Sequence, residues 1–153
     1  MPDPAAKPLN IHGTALLIGD RGVVITGPSG SGKTTLALAL IDHCRARGLF
    51  SRLIADDQLF ATAYDGRLVC QAPGTIAGLV EVHGIGPRPL AFERDGVVDL
   101  VVRLVEPTQM ARLQDETFET IVGCRLPSID VARQNVAAAL PMLMARLSIA
   151  PFS

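Results

Sequence analysis

Residues 27–34 read Gly27-Pro28-Ser29-Gly30-Ser31-Gly32-Lys33-Thr34, which fills every fixed position of the spacing G-x-x-x-x-G-K-[ST]. The chemistry of such a run is anion binding. Glycines let successive backbone N–H groups turn inward around a phosphate, and the helix that follows adds the positive end of its dipole. The Lys33 ammonium suits the β- and γ-phosphates, and the Thr34 hydroxyl suits the accompanying Mg²⁺. Thr35 closes the expected nucleotide-contacting set of residues 27–35. The run predicts ATP as ligand and leaves open what receives the phosphate.

Two further acidic positions bear on that question. Asp56 and Asp57 end the apolar run "RLIADD", about 20 residues after the loop. Adjacent side chains on an extended chain point to opposite sides. One carboxylate can therefore serve Mg²⁺ while the other takes the proton of an incoming hydroxyl, the role of the base in protein kinases. Glu81 lies in the glycine-rich segment "APGTIAGLVEVHGIG" (72–86). If that segment is extended, Glu81 and His83 share the face opposite Val80 and Val82, and Glu81 could complete a metal site.

The elements that must hold these groups follow from periodicity and turn signals. "TALLI" (14–18) and "GVVIT" (22–26) read as a hairpin about Gly19-Asp20-Arg21, whose second strand feeds the loop. "KTTLALALIDHCRARG" (33–48) reads as a helix ending in basic residues and Gly48, apolar nearly all round and so covered on more than one side. "RLIAD" (52–56) reads as a buried strand. "LFATA" (59–63) and "RLVCQ" (67–71) form a second hairpin, "PLAFE" (89–93) a strand, Asp95-Gly96 a turn and "VVDLVVRLV" (97–105) one long strand. Residues 130–147 read as a helix that Pro141 should kink or split. Strands outnumber helices and several neighbours are hairpin-linked, which predicts a mixed sheet, not a doubly wound parallel one.

Composition narrows the classes. At 153 residues the chain suits one domain, with residues 1–10 a loose tail and 11–153 the folded unit. A formal net charge of -1, one Tyr and no Trp give neither a basic field nor a stacking platform for nucleic acid. No apolar run reaches membrane-spanning length. Cys44, Cys70 and Cys124 are odd in number and widely spaced, which points to buried reduced thiols and a cytoplasmic location.

Taken in order, "IHG" (11–13), "GVVITGPSGSGKT", "LIADD" (53–57) and "PGTIAGLVEVHGIG" resemble the HPr kinase/phosphorylases of bacterial phosphotransferase systems, over roughly residues 11–105. The resemblance implies an α/β fold, a single P-loop kinase domain with a mixed, hairpin-rich sheet. It also implies the short form that lacks an N-terminal domain. The implied activity is a protein-serine kinase, with or without phosphorylase activity, acting on an HPr-like phosphocarrier with ATP and Mg²⁺. Full-length relatives form hexamers, so a homo-oligomer is implied too. By position, His12 matches an upstream catalytic histidine and Lys33 the phosphate-loop lysine. Thr34 matches a Mg²⁺-binding hydroxyl. Asp57 matches the group that takes the serine proton, with Asp56 assisting the metal, Glu81 a Mg²⁺ ligand and Arg112 a later catalytic arginine. His83 stands where the family signature has arginine, a change that removes a permanently charged fork.

Two other readings of the same loop stay open at this level. A small-molecule kinase would use an identical loop but normally carries an arginine-bearing lid, and no such insertion is marked. A non-catalytic ATP-sensing module would need only the loop.

Overall fold

The computed structural model describes residues 7–152. Residues 1–6 of the expected tail lie outside that range, and Leu9 and Asn10 already belong to the first strand. The order is β1 (Leu9–Ile18), β2 (Arg21–Thr26), α1 (Lys33–Ala46), β3 (Ser51–Ala55), β4 (Gln58–Tyr64), β5 (Arg67–Gln71), β6 (Leu79–Val82), β7 (Gly86–Pro89), β8 (Asp95–Val98), β9 (Leu100–Val105), a 3₁₀ turn at Pro107–Gln109, β10 (Thr117–Ile121), β11 (Cys124–Ala132) and α2 (Val136–Arg146). Nine strands form one sheet in the order β10-β11-β9-β2-β1-β4-β5-β8, with β3 also paired to β1, and β6 and β7 form a separate hairpin.

The sheet is mixed, as the hairpin-rich sequence predicts. β1 is antiparallel to β2, β3 and β4, whereas β9 runs parallel to both β2 and β11. β1 is the hinge of the topology. Leu9–His12 pair with β4, whereas Gly13–Ile18 pair with β2. The central strands are apolar on both faces, and period-two alternation divides their side chains between two cores. Leu16, Ile18, Val23, Ile25, Val102 and Leu104 lie with Leu36, Leu40 and Leu143 of the helices. Ala15, Val24 and Val101 lie with Leu59, Leu68, Val98 and Leu126 in the second core. α1 buries Leu36, Ala37, Leu40, Ile41 and Cys44, the broad apolar contact expected of it.

Three expectations among the strands are corrected. The run 97–105 is two strands, because it changes partner at Asp99: β8 pairs antiparallel with β5, and β9 parallel with β2. Asp99 makes the switch by gripping Gly22, whose N–H donates to Asp99 Oδ2 at 2.9 Å while the Asp99 N–H donates to the Gly22 carbonyl at 2.8 Å. Only glycine fits there, since a Cβ on residue 22 would collide with the Val97 carbonyl oxygen. Asp95-Gly96 is not a turn but part of β8, opposite Gln71 and Cys70. Gly96 is small because Ile54 and Leu17 pack where its side chain would be. "PLAFE" contributes only the end of β7 and a single bridge from Phe92 to Leu53.

The predicted 130–147 helix is shorter. Residues 130–132 finish β11, and α2 begins at Val136, where the Asn135 side chain accepts from the Ala138 N–H at 3.1 Å. Pro141 lies inside α2 without splitting it. All three cysteines are free and buried. Burial pushes the Cys70 thiol up to about 12 and the Cys44 thiol up as well, the latter opposed by the nearby Arg47 charge.

Candidate nucleotide site

β2 ends at Thr26 and α1 begins at Lys33, so residues 27–32 span a strand-to-helix turn. Gly27 is required by packing, because a Cβ there would lie 2.7 Å from Ser31 Oγ and 3.0 Å from Leu104 Cβ. Gly32, the residue before α1, has φ 98°, a left-handed value that favours glycine. Lys33 folds back over the loop, donating from Nζ to the Gly27 and Pro28 carbonyls at 3.0 and 3.1 Å. It is 6% exposed, and among the described residues its ammonium has no carboxylate partner. Ser31 Oγ is buried without a hydrogen-bond partner. A sequestered cation held only by carbonyls, an orphaned hydroxyl and the positive end of a 14-residue helix meet at one turn. Together they make an anion cradle.

Asp56 is the hub beside it. The residue is buried, one position beyond β3, and its carboxylate accepts three hydrogen bonds. Oδ1 receives the Thr34 hydroxyl at 2.6 Å and the Thr14 hydroxyl at 3.1 Å, and Oδ2 receives the Glu81 backbone N–H at 3.0 Å. One side chain thus ties α1, β1 and β6 together. A carboxylate and a hydroxyl in contact are the donor pair that Mg²⁺ takes alongside phosphate oxygens and water. No group of three or more His, Cys, Asp or Glu side chains able to hold a metal occurs among the described residues. A Mg²⁺ ion that relies on substrate phosphates does not require one, so the donor set fits that ion.

Of the other predicted residues, Asp57 and Glu81 adjoin this hub and the rest have no contact with it among the described residues. Asp57 is exposed and left-handed at φ 67°, a conformation Asp tolerates better than most residues. Its N–H donates to Thr14 Oγ1 at 3.3 Å and its carbonyl accepts from Gly13 N–H at 2.9 Å. His12, exposed, pairs across the β1–β4 ladder with Gln58, the residue after Asp57. Glu81 reaches Asp56 through its backbone, while its own side chain is exposed. Segment 79–82 is extended, with Val80 buried and Glu81 exposed as the alternation requires, but His83 lies in the turn after β6. Thr35 is exposed on the first turn of α1. Arg112 is exposed between the 3₁₀ turn and β10, and no hydrogen bond or ion pair joins it to the loop among the described residues. Two residues at the site carried no sequence signal: Thr14, indistinguishable from any strand threonine, and Gln134, which falls inside the predicted helix. Two clefts of about 360 and 440 Å³ lie elsewhere, one lined by residues including Arg21, Arg47 and Leu147, the other by residues including Gln114, Glu116 and Arg146.

The fold and the loop define an α/β P-loop domain on a mixed sheet. The comparisons narrow this further. The family model described as the HPr serine kinase C-terminal domain matches residues 4–140, so the chain belongs to that family. Its structure superposes on the Hpr(Ser) kinase/phosphatase from Coxiella burnetii with a TM-score of 0.74 and 30% identity, covering 91% of this chain and 87% of that one. It is similar to the HPr kinase/phosphorylase of Limosilactobacillus reuteri, 36% identical over 134 residues, or 80% of this chain and 40% of the relative. It is likewise similar to that of Clostridium beijerinckii, 37% identical over 84 residues, or 55% and 26%. The chain therefore spans well under half the length of these curated relatives. No helix among the described residues is long and apolar enough to cross a membrane.

Proposed function

We propose that the protein is an ATP-dependent protein-serine kinase of the HPr kinase type, transferring the γ-phosphoryl group of ATP to a serine of an HPr-like phosphocarrier. Residues 27–35 cradle the triphosphate, and Lys33 offsets the charge of its terminal phosphates. Asp56 and Thr34 would hold Mg²⁺, with the Glu81 side chain contributing from the neighbouring hairpin. A Mg²⁺ ion held there would lower the phosphate charge that repels a nucleophile. Asp57 accepts the serine proton as the new O–P bond forms and the bond to the β-phosphate oxygen breaks, releasing ADP. His12, on the strand paired with residue 58, lies beside the transferred group, and Arg112 is assigned to the same side of the reaction.

The observation that carries this reading is the Asp56 carboxylate shared between Thr34 and the Glu81 backbone. It links three of the four sequence segments on which the family resemblance rests. The exposure of Asp57 and His12 favours a protein acceptor over a small molecule, because the base stands open to a docking loop. The test is incubation with γ-labelled ATP, Mg²⁺ and HPr. The account predicts phosphoserine on HPr. ADP production against small hydroxylated substrates with none against HPr would favour the small-molecule kinase, and ATP binding without turnover would favour the sensing module.

A further inference from the structure

Gln134 follows directly from Arg133 and precedes the cap of α2, yet it is bonded to the phosphate loop. Its backbone N–H donates to the Ser31 carbonyl at 2.9 Å, and its side-chain Nε2 donates to the Gly30 carbonyl. These bonds are made from φ 53°, a left-handed value that a glutamine rarely adopts. Its neighbours hold it there. Arg133 donates its N–H to the Val105 carbonyl at 2.9 Å and pairs through Nη1 with Glu106 at 2.9 Å, and Asn135 caps α2. Segment 133–135 is thus fixed to the end of β9 on one side and to α2 on the other, with Gln134 aimed at the loop.

Peptide geometry gives this contact a consequence. In a trans peptide the carbonyl and the N–H that follows it point in opposite directions. Holding the Gly30 and Ser31 carbonyls outward against Gln134 therefore turns the Ser31 and Gly32 N–H groups the other way, into the loop. The Ser31 N–H donates across the loop to the Pro28 carbonyl at 3.1 Å. Among the described residues the Gly32 N–H has no backbone acceptor. It is a donor left for an anion.

We infer that Gln134 is a positioning residue: it latches two carbonyls of the phosphate loop outward, pins the Ser31 amide across the loop and so presets the Gly32 amide to receive the triphosphate. The inference rests on reading residues 27–34 as a triphosphate cradle and extends it to a residue outside that motif. Latching ahead of binding spares the ligand the cost of ordering the loop.

The test uses two variants of the full chain. Gln134→Glu keeps the size but replaces the donor facing Gly30 with a carboxylate oxygen, and Gln134→Gly removes the side chain while suiting the left-handed backbone. Hydrogen exchange at the Ser31 amide, read by NMR on ligand-free protein, should quicken roughly tenfold in both, with β2 and α2 amides unaltered. Calorimetry should show Mg·ATP affinity weakened about tenfold, and kcat at saturating ATP should change little. Unchanged Ser31 exchange in both variants, or faster exchange with unaltered ATP affinity, would overturn the inference. A wild-type protein with no affinity for Mg·ATP would overturn the nucleotide reading alone, because the exchange measurement needs no nucleotide and still decides the latch.

Discussion

Asp56 and Asp57 are neighbours in sequence with opposed circumstances, and the roles proposed for them follow that difference. Asp56 is buried and spends both oxygens on Thr14, Thr34 and Glu81, so it is poorly placed to approach an acceptor. Asp57 is exposed, with its backbone held by Thr14 and Gly13 and its carboxylate facing outward. Asp57→Asn should lower kcat for phosphate transfer by about 10²–10⁴-fold, the usual contribution of a general base. Calorimetry should find its ATP affinity within about twofold of wild type, since the residue touches no part of the cradle in this account. Retained transfer would refute the base assignment. Asp56→Ala removes the acceptor of three hydrogen bonds and leaves one buried and two half-buried donors unpaired. It should destabilise the fold by about 1–3 kcal/mol or more in urea titrations and abolish Mg²⁺-dependent ATP binding.

At the scale of elements, Gly22 illustrates how the sheet depends on a single missing methyl group. Gly22→Ala would drive its Cβ into the Val97 carbonyl at the crossing of β2 and β8. Backbone cannot yield as a side-chain tip can, so a loss of at least about 3 kcal/mol is expected in equilibrium unfolding. This crossing was invisible in the sequence, where "VVDLVVRLV" is one unbroken apolar pattern and Asp99 looks like an outward-facing strand residue. The β1–β2 hairpin, α1 and the β4–β5 hairpin were legible, because each joins a periodic run to a local stop signal. The β10–β11 hairpin was not. Its two-residue turn, Val122-Gly123, has positive φ at both positions, and a β-branched residue there hides the usual turn signature. At the site, the loop and the Asp56 carboxylate beside Thr34 were readable from motif and spacing. The Thr14 and Gln134 contacts depend on long-range pairing that no local pattern encodes.

Across the whole molecule, the buried thiols tie stability to alkaline pH. Cys70 is held protonated to about 12 by burial, whereas its unfolded counterpart ionises near 9.0. Below that lower value both states carry the proton and the thiol adds no pH dependence. As pH rises from 9 to 12 only the unfolded chain releases it, so stability falls, by up to about 1.4 kcal/mol per pH unit from this group. Cys70→Ala should flatten that part of the stability profile in urea titrations at pH 8 to 11, and an equally steep profile would contradict the assignment. The phosphate loop, by contrast, lies outside the two clefts described above, and Pro28, Ser29 and Gly30 are exposed, which suits the proposed protein acceptor. The central claim is that the loop, Asp56 and the Glu81 hairpin form one metal–triphosphate site. Mn²⁺ in place of Mg²⁺, added with ATP to ¹⁵N-labelled protein, tests it through paramagnetic broadening of amide signals. The account predicts that Gly32, Lys33, Thr34 and Glu81 broaden together while the last turn of α2 stays sharp. Broadening of the loop with a sharp Glu81 signal, or broadening centred elsewhere, would contradict it.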